Sequence, residues 1–323
     1  MFVVCGEALF DVFVPEGVSQ SAFAVPFAAR AGGSPFNVAI GLRRLGQTVA
    51  LLTGVSTDFL GDRLMAVLQA EQVSTDFIAR KAAPTTLGFI QKNAVGVPNY
   101  AFYGEGAADR LLAPADIAFD DTEVTGIHMG SYSLVVAPTA DTLLALARRQ
   151  AGKCLLSLDP NIRLTVEPDV HQWRERITQL LPFMDVVKVS DEDLAALYPG
   201  IAPESIIADW LAVGVKLAAL TRGSEGASLW SQQAQVTLPT PRVNVVDTVG
   251  AGDTFQASLL DSLLDLQANT ADWVAALTAS TLQRIGHKAA CAAAITCSRQ
   301  GADLPSAKEV ELALADYPEE LLV

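Results

Sequence analysis

Cysteine is scarce in this chain. Four occur among 323 residues, Cys5, Cys154, Cys291 and Cys297, and no two stand at a metal-ligand spacing. That argues against a disulfide framework or a thiolate zinc site and for buried thiols in a reducing compartment. Histidine is scarcer: His128, His171 and His287 are scattered and read as structural or surface residues. Basic residues are few, with 22 Lys and Arg against 36 Asp and Glu and a formal charge of −14. Such a balance disfavours a nucleic-acid partner and a polybasic membrane patch. It leaves ATP open, because local donors and a metal ion hold a nucleotide. No window approaches the ~18 consecutive apolar residues of a membrane span. Met1-Phe2-Val3-Val4-Cys5-Gly6-Glu7 has no basic leader and its apolar run breaks at once, so no signal peptide is expected and the chain is placed in the cytoplasm. Linkers, low-complexity tracts and repeats are missing as well. So is Gly-x-x-x-x-Gly-Lys-Ser/Thr, which excludes a P-loop kinase. No Gly-x-Gly-x-x-Gly follows a strand, which disfavours a dinucleotide-binding dehydrogenase.

What remains is an apolar chain, half of it hydrophobic, able to bury a large core. Short apolar runs at 2–5, 49–53, 126–129, 154–158, 186–189 and 217–221 read as strands. Helix-period segments at 36–45, 62–71, 138–150, 171–181, 205–213 and 254–266 lie between or after them. That alternation predicts parallel βαβ units with helices on both faces of a sheet. Two segments, 11–31 and 85–103, break it. They carry strand-like residues with turn signals, Pro15-Glu16-Gly17 and Gly96-Val97-Pro98-Asn99, and read as inserted hairpins.

The most specific stretch is Asp247-Thr248-Val249-Gly250-Ala251-Gly252-Asp253-Thr254-Phe255, between a β-rich segment (235–246) and an apolar helix. Two glycines bring bare N–H groups to a helix N-terminus, where the macrodipole favours an anion. Asp253 in such a place has two readings: a plain helix cap, or a base acting beside a bound anion. Phosphoryl transfer to a hydroxyl needs the second arrangement.

The nine-residue run resembles the C-terminal signature of the ribokinase-like (PfkB) carbohydrate kinases. In that family Gly250, Ala251, Gly252 and Asp253 would form the anion hole, with Asp253 the catalytic base. Gly32-Gly33-Ser34-Pro35-Phe36-Asn37 and the helix that Gly46 ends are similar to the N-terminal signature, implying sugar-binding roles for Gly32, Gly33 and Asn37. Asn37 could equally cap the preceding turn. Asp11, following the first strand, matches the Asp that binds sugar hydroxyls. Asp159-Pro160-Asn161-Ile162-Arg163 resembles an Asp-x-Asn-x-Arg element, giving Arg163 either the transferring phosphoryl group or an ion pair with Asp159.

On the nucleotide side, Leu220-Thr221-Arg222-Gly223-Ser224-Glu225-Gly226 matches an ATP turn, with Thr221, Gly223 and Gly226 as binding positions. Ser190 and Asp193 stand where the family has an Asn-x-x-Glu element ordering Mg²⁺. Asp193 would act on that ion through water, or the pair is a helix cap with acidic residues in the first turn. Asp247, Val249 and Gly301 are compatible with a K⁺ site.

The resemblance implies an α/β fold: a three-layer sandwich with a mostly parallel sheet, one domain over 1–323, and a small β lid inserted at about 11–31 and 85–103. It implies an ATP- and Mg²⁺-dependent sugar kinase. The run Tyr100-Ala101-Phe102-Tyr103-Gly104-Glu105-Gly106-Ala107-Ala108-Asp109 is similar to bacterial fructokinases, which makes Phe102 a substrate contact and fructose the first choice. A 2-keto-3-deoxygluconate kinase is the alternative. It would want a cation for the acid, and Arg30, Arg80, Lys81, Lys92 and Arg110 are the candidates. More distant are other sugar or nucleoside kinases and a non-catalytic sugar sensor. Exposed lid strands would suit a homodimer.

Overall fold

The computed structural model describes residues 1–14, 23–92, 98–117, 123–266 and 273–316; the turns expected at Pro15-Glu16-Gly17 and at Gly96-Val97 lie outside them. Among the described residues, nine strands form the main sheet: β1 (Phe2–Cys5), β4 (Val49–Ser56), β5 (Ile78–Lys81), β8 (Gly126–Gly130), β9 (Leu155–Asp159), β10 (Val186–Ser190), β11 (Leu217–Thr221), β12 (Ala227–Ser231) and β13 (Gln235–Leu238). Their order is β13-β12-β11-β10-β9-β8-β1-β4-β5. From β5 to β11 the pairings are parallel; β12 and β13 turn antiparallel at one edge.

All four residues of β1 are buried, as a strand covered on both faces requires. Strand alternation sorts the core into two layers. Val3, Cys5, Ile127 and Met129 pack with Leu143, Trp173, Ile207 and Trp210 of α3 (Thr139–Gln150), α4 (Val170–Leu180) and α6 (Pro203–Val213). Phe2 and Val4 face the opposite layer, with side chains of α1 (Ser34–Arg44), α2 (Phe59–Ala70), α7 (Ala251–Asp265) and α8 (Ala279–Cys297). The short α5 (Asp191–Leu197) follows β10, and α9 (Ala307–Asp316) follows α8. The result is the expected three-layer architecture, and none of the helices is long and apolar enough to cross a membrane among the described residues.

Strand order reverses at β1, which lies between β8 and β4. In open α/β sheets, ligands bind in the crevice at the carboxyl ends of the strands beside such a switch point. Two non-glycine residues with positive φ stand at that end, Ser131 (58°) after β8 and Asn161 (40°) after β9. Backbone in this sparsely populated region clusters at functional sites. Helices α1 and α7 lie side by side above it. Their approach depends on Gly41, where an added Cβ would come 2.8 Å from the Ala257 Cβ.

The segments at 11–31 and 85–103 do form hairpins. Strand β2 (Leu9–Phe13) pairs antiparallel with β3 (Ala28–Gly32), and β6 (Leu87–Lys92) with β7 (Pro98–Tyr103). A parallel β2–β6 pairing joins them into one four-stranded sheet, β3-β2-β6-β7. The segment expected to be β-rich over 235–246 is strand only as far as Leu238, because Pro239 and Pro241 offer no N–H to a ladder. Helix α7 begins at Ala251, three residues before the periodicity placed it, so Asp253 lies within its first turn.

Candidate active site

Gly250 is the N-cap of α7, with φ 80° and no side-chain cap bond. An L-residue rarely takes that conformation, and an added Cβ would also lie 2.6 Å from the Ala302 Cβ. The Ala251 N–H is taken by the Thr248 carbonyl and the Thr254 N–H by that of Gly250. The amides of Gly250, Gly252 and Asp253 have no backbone partner among the described residues, so the turn keeps a set of donors at the positive end of α7.

Asp253 is buried and does not cap the helix. Its Oδ1 accepts from Ser34 Oγ at 2.6 Å and its Oδ2 from Asn37 Nδ2 at 2.8 Å. Asn37, expected to face sugar hydroxyls or cap its own turn, thus gives an amide donor to the carboxylate. Both oxygens of Asp253 are oriented by the first turn of α1.

Asp11 lies mid-strand in β2, and its neighbours make room for the carboxylate. An added Cβ on Gly32 would come within 2.7 Å of Oδ2, and one on Gly88 within 3.1 Å of Oδ1 and 3.0 Å of the Phe102 ring. Burial pushes Asp11 up to about 6, Arg163 pulls it down and Asp253 pushes it further up. Asp11, Phe102, Arg163 and Asp253 therefore belong to one electrostatic neighbourhood. Gly33 is the N-cap of α1 and packs against the Glu7 backbone. Arg163 makes no ion pair with Asp159; its Nη1 donates to the carbonyls of Asn161 and Ile162.

The partner of Asp159 is Lys188, with Nζ 2.8 Å from Oδ2 and both side chains buried. Burial pushes Asp159 up to about 6 against the pull of Lys188, with Asp193 and Asp253 adding to the rise. Asp159 Oδ1 is buried without a partner. Ser190 and Asp193 form a capping box at the start of α5: Ser190 Oγ accepts from the Asp193 N–H at 3.0 Å. Asp193 Oδ1 also takes the Ile162 N–H at 2.8 Å, tying α5 to the loop that carries Arg163.

On the remaining side, Thr221 ends β11 and Gly223 (φ 48°) is exposed after it. Gly226 is buried and explained by packing, since a Cβ there would meet the Leu238 carbonyl. Asp247 closes the far wall: Oδ1 accepts from the Val249 N–H at 3.2 Å and Oδ2 from the Gly301 N–H at 2.9 Å. Arg30, from the four-stranded sheet, reaches the same loop by donating to the Gln300 carbonyl at 2.7 Å.

Residues 2–309 match the model of the pfkB family of carbohydrate kinases. The chain belongs to that family. It is 40% identical to a fructokinase of Rhizobium leguminosarum bv. trifolii over 81% of this chain and 79% of that one. It is 35% identical to fructokinase-2 of Solanum habrochaites over 96% and 94%. Its structure resembles that of a Xylella fastidiosa fructokinase with bound ATP, with a TM-score of 0.88, 27% identity and 98% of each chain covered.

In this carbohydrate kinase three site residues went unrecognised from sequence. Ser34 lies within the Gly32–Asn37 run, but its partner is 219 residues away. Lys188 lies in the run 186–189, read only as a strand; an added Cβ on Gly252 would come 3.0 Å from its Nζ, so the ammonium packs beneath the glycine turn. Glu7 is buried and accepts from the Ser133 Oγ at 2.6 Å and the Ser34 N–H at 3.2 Å. A charged residue inside an apolar strand end, as at Glu7 and Lys188, was the available signal. The arrangement holds a buried carboxylate next to open amide donors, with Lys188 and Arg163 nearby, a set of groups that suits phosphoryl transfer.

Proposed function

We propose that the chain is an ATP-dependent fructokinase, converting D-fructose and ATP to fructose 6-phosphate and ADP. The observation that carries this is Asp253, fixed by Ser34 and Asn37 within hydrogen-bond reach and set in the first turn of a helix whose leading amides stay open. The named relatives support fructose as the acceptor and ATP as the donor.

The sugar hydroxyl oxygen attacks the γ-phosphorus in line. Its lone pair forms the new O–P bond, the bond to the β,γ-bridging oxygen breaks, and that electron pair leaves with ADP. Asp253 takes the hydroxyl proton. The Gly250, Gly252 and Asp253 amides face the charge on the transferring group, and Arg163 contributes a cation. Asp11 accepts from sugar hydroxyls beside Gly32, Gly33 and Phe102. Thr221 and Gly223 lie along the nucleotide, while Gly226 shapes their turn.

Asp159 and Asp193 fit a hydrated Mg²⁺: the buried Oδ1 of Asp159 has no protein partner, and Asp193 lies close enough to shift it. The ion supplies positive charge to the phosphates when bound. Asp247, with the Val249 carbonyl and the Gly301 loop, is our candidate K⁺ site.

We read the chain as one domain in which the four-stranded sheet is a lid over the sugar. Its outer face carries an edge-to-face stack of Phe27, Phe89 and Tyr103, with centroids 5.4 Å apart, that suits a homodimer. Four free cysteines favour the cytoplasm.

The test is ADP release across a sugar panel with wild type and Asp253→Asn. Fructose should stimulate turnover, and the substitution should lower kcat by about 10²–10⁴. Loss of less than about tenfold removes Asp253 as the base.

A further inference from the structure

The basic residues around the four-stranded sheet differ in one respect. Arg80 is bound to Asp62 and the Ser56 carbonyl, Lys81 to Asp116, and Arg30 to the Gln300 carbonyl. Arg110 is bound to nothing of the kind. Among the described residues its guanidinium makes no hydrogen bond, and its Nε is buried without a partner. Asp109, next in the chain, is occupied elsewhere: its oxygens accept from Thr86 Oγ1 at 2.6 Å and Tyr132 Oη at 2.7 Å. A buried, unsatisfied donor costs free energy that a native structure seldom leaves unexplained.

The guanidinium is held in place. Its Cζ lies 5.1 Å from the centre of the Tyr132 ring, and the other neighbour of that ring is Phe102, at 6.1 Å. Its Nη2 occupies the space above Gly104, 2.5 Å from where a Cβ would stand. Gly104 directly follows β7, two residues beyond Phe102, whose ladder partner Gly88 is in turn paired with Asp11. The fork therefore lies beside the Tyr132 ring, whose other neighbour, Phe102, packs over Gly88 next to Asp11.

We propose that Arg110 is a substrate-specificity residue, whose guanidinium donates to hydroxyl oxygens at the end of the sugar remote from Asp253. A fork of N–H donors, stacked and pre-oriented, matches two neighbouring hydroxyls and discriminates against sugars that lack them, since the buried Nε would again be left unpaired. This rests on the fructokinase reading for the identity of the sugar.

Two variants test it by different routes. Arg110→Met keeps the packing on Tyr132 and removes the fork. Gly104→Ala leaves Arg110 in the chain and displaces its head by steric overlap. Each should raise the KM for fructose, by about 10–100-fold and at least about fivefold respectively, with the KM for ATP within about twofold; loss of charged hydrogen bonds sets that range. Arg110→Lys should recover part of the loss. Fructose KM values within twofold of wild type in both variants overturn the proposal. So does a parallel rise in both KM values with a lowered Tm, which marks a structural role. An Arg110→Met enzyme that keeps fructose but loses 2-keto-3-deoxygluconate turnover overturns it too, since the fork would then serve a carboxylate. The comparison uses whichever panel sugar wild type phosphorylates, so a wild type inert to fructose removes only the fructokinase reading.

Discussion

The Oγ of Ser34 lies 2.6 Å from Oδ1 of Asp253 and joins the first turns of α1 and α7. It is a hydroxyl-to-carboxylate bond in a buried setting, the stronger kind of hydrogen bond. It fixes the orientation of the carboxylate that we propose as the base, leaving Asn37 to hold the other oxygen.

Ser34→Ala should therefore lower kcat by about tenfold, close to the ~1.5 kcal/mol of one hydrogen bond to a charged group. The KM for ATP should not move, and Ser34→Thr should retain most activity. Steady-state kinetics with both substrates varied decides it. An unchanged kcat in the alanine variant would mean that Asn37 alone orients the base.

Lys188 and Asp159 form the most deeply buried ion pair among those described, with side chains 5% and 0% exposed. Burial opposes the charge of Lys188, and Asp159 more than offsets it, holding the ammonium above its ordinary value. Lys188→Met strands a buried carboxylate and should cost about 3–5 kcal/mol of stability. Adding Asp159→Asn should recover much of that stability and none of the activity, because the cation beneath Gly252 stays missing and a carboxylate of the proposed Mg²⁺ site goes with it. Denaturant unfolding of both variants checks the first claim and turnover the second. A single variant as stable as wild type would sink the idea of a structural counter-charge.

Local features were legible in the chain, while long-range ones were not. The bounds of β1 and β11 matched the apolar runs at 2–5 and 217–221, since a strand buried on both faces has no alternation to blur its ends. The glycine turn at 250–252 was readable because its φ requirement and its helix lie within a few residues. The two antiparallel pairs were readable from their strand-like residues, whereas the β2–β6 pairing that makes them one sheet spans about 75 residues and has no local signature. The Lys188–Asp159 pair depends on the parallel register that sets Val187 beside Leu158. Ser190 and Asp193 had two readings, and the cap is what their backbone geometry displays. The alternative reading of Arg163, an ion pair with Asp159, fails for the same reason of register, since Lys188 takes that carboxylate.

Gly250 and Gly252 should separate on substitution. Gly250→Ala meets both a positive φ of 80° and a Cβ contact of 2.6 Å with Ala302, so it should cost about 1–3 kcal/mol and push away the Gly301 loop. Gly252→Ala meets only the Lys188 ammonium at 3.0 Å, the end of a flexible side chain. It should fold nearly as well as wild type yet raise the KM for ATP, because the methyl group displaces the Lys188 ammonium from its place against the turn. Thermal melts alongside ATP titrations test the contrast. Equal losses of stability in the two variants would contradict it.

Stability and activity should run in opposite directions with pH. Burial pushes Glu7 up to about 7, and it pushes Asp11 and Asp159 up to about 6. Ordinary carboxyls titrate near 4, so between about pH 4 and 7 the folded chain binds more protons than the unfolded one at these three groups. The stability they contribute is complete below about pH 4 and is lost as pH rises through 6 and 7. His128 works the other way: burial and then Lys188 push it down to about 3, so unfolding takes up a proton below about pH 6.5. Burial raises Asp109, Asp185 and Asp265 as well, so the carboxyls outweigh the one imidazole and the net slope is downward. Asp58, Asp116 and Glu309 are held low and act only below about pH 4.5. The Tm should therefore fall by about 2–5 °C from pH 5.5 to pH 8 at fixed ionic strength, and Glu7→Gln should flatten the upper part of that slope. Over the same interval kcat/KM for the sugar should rise, because Asp11 must be ionised to accept its hydroxyls. A Tm that climbs from pH 5.5 to pH 8 would show that these carboxyls are not protonated in the fold.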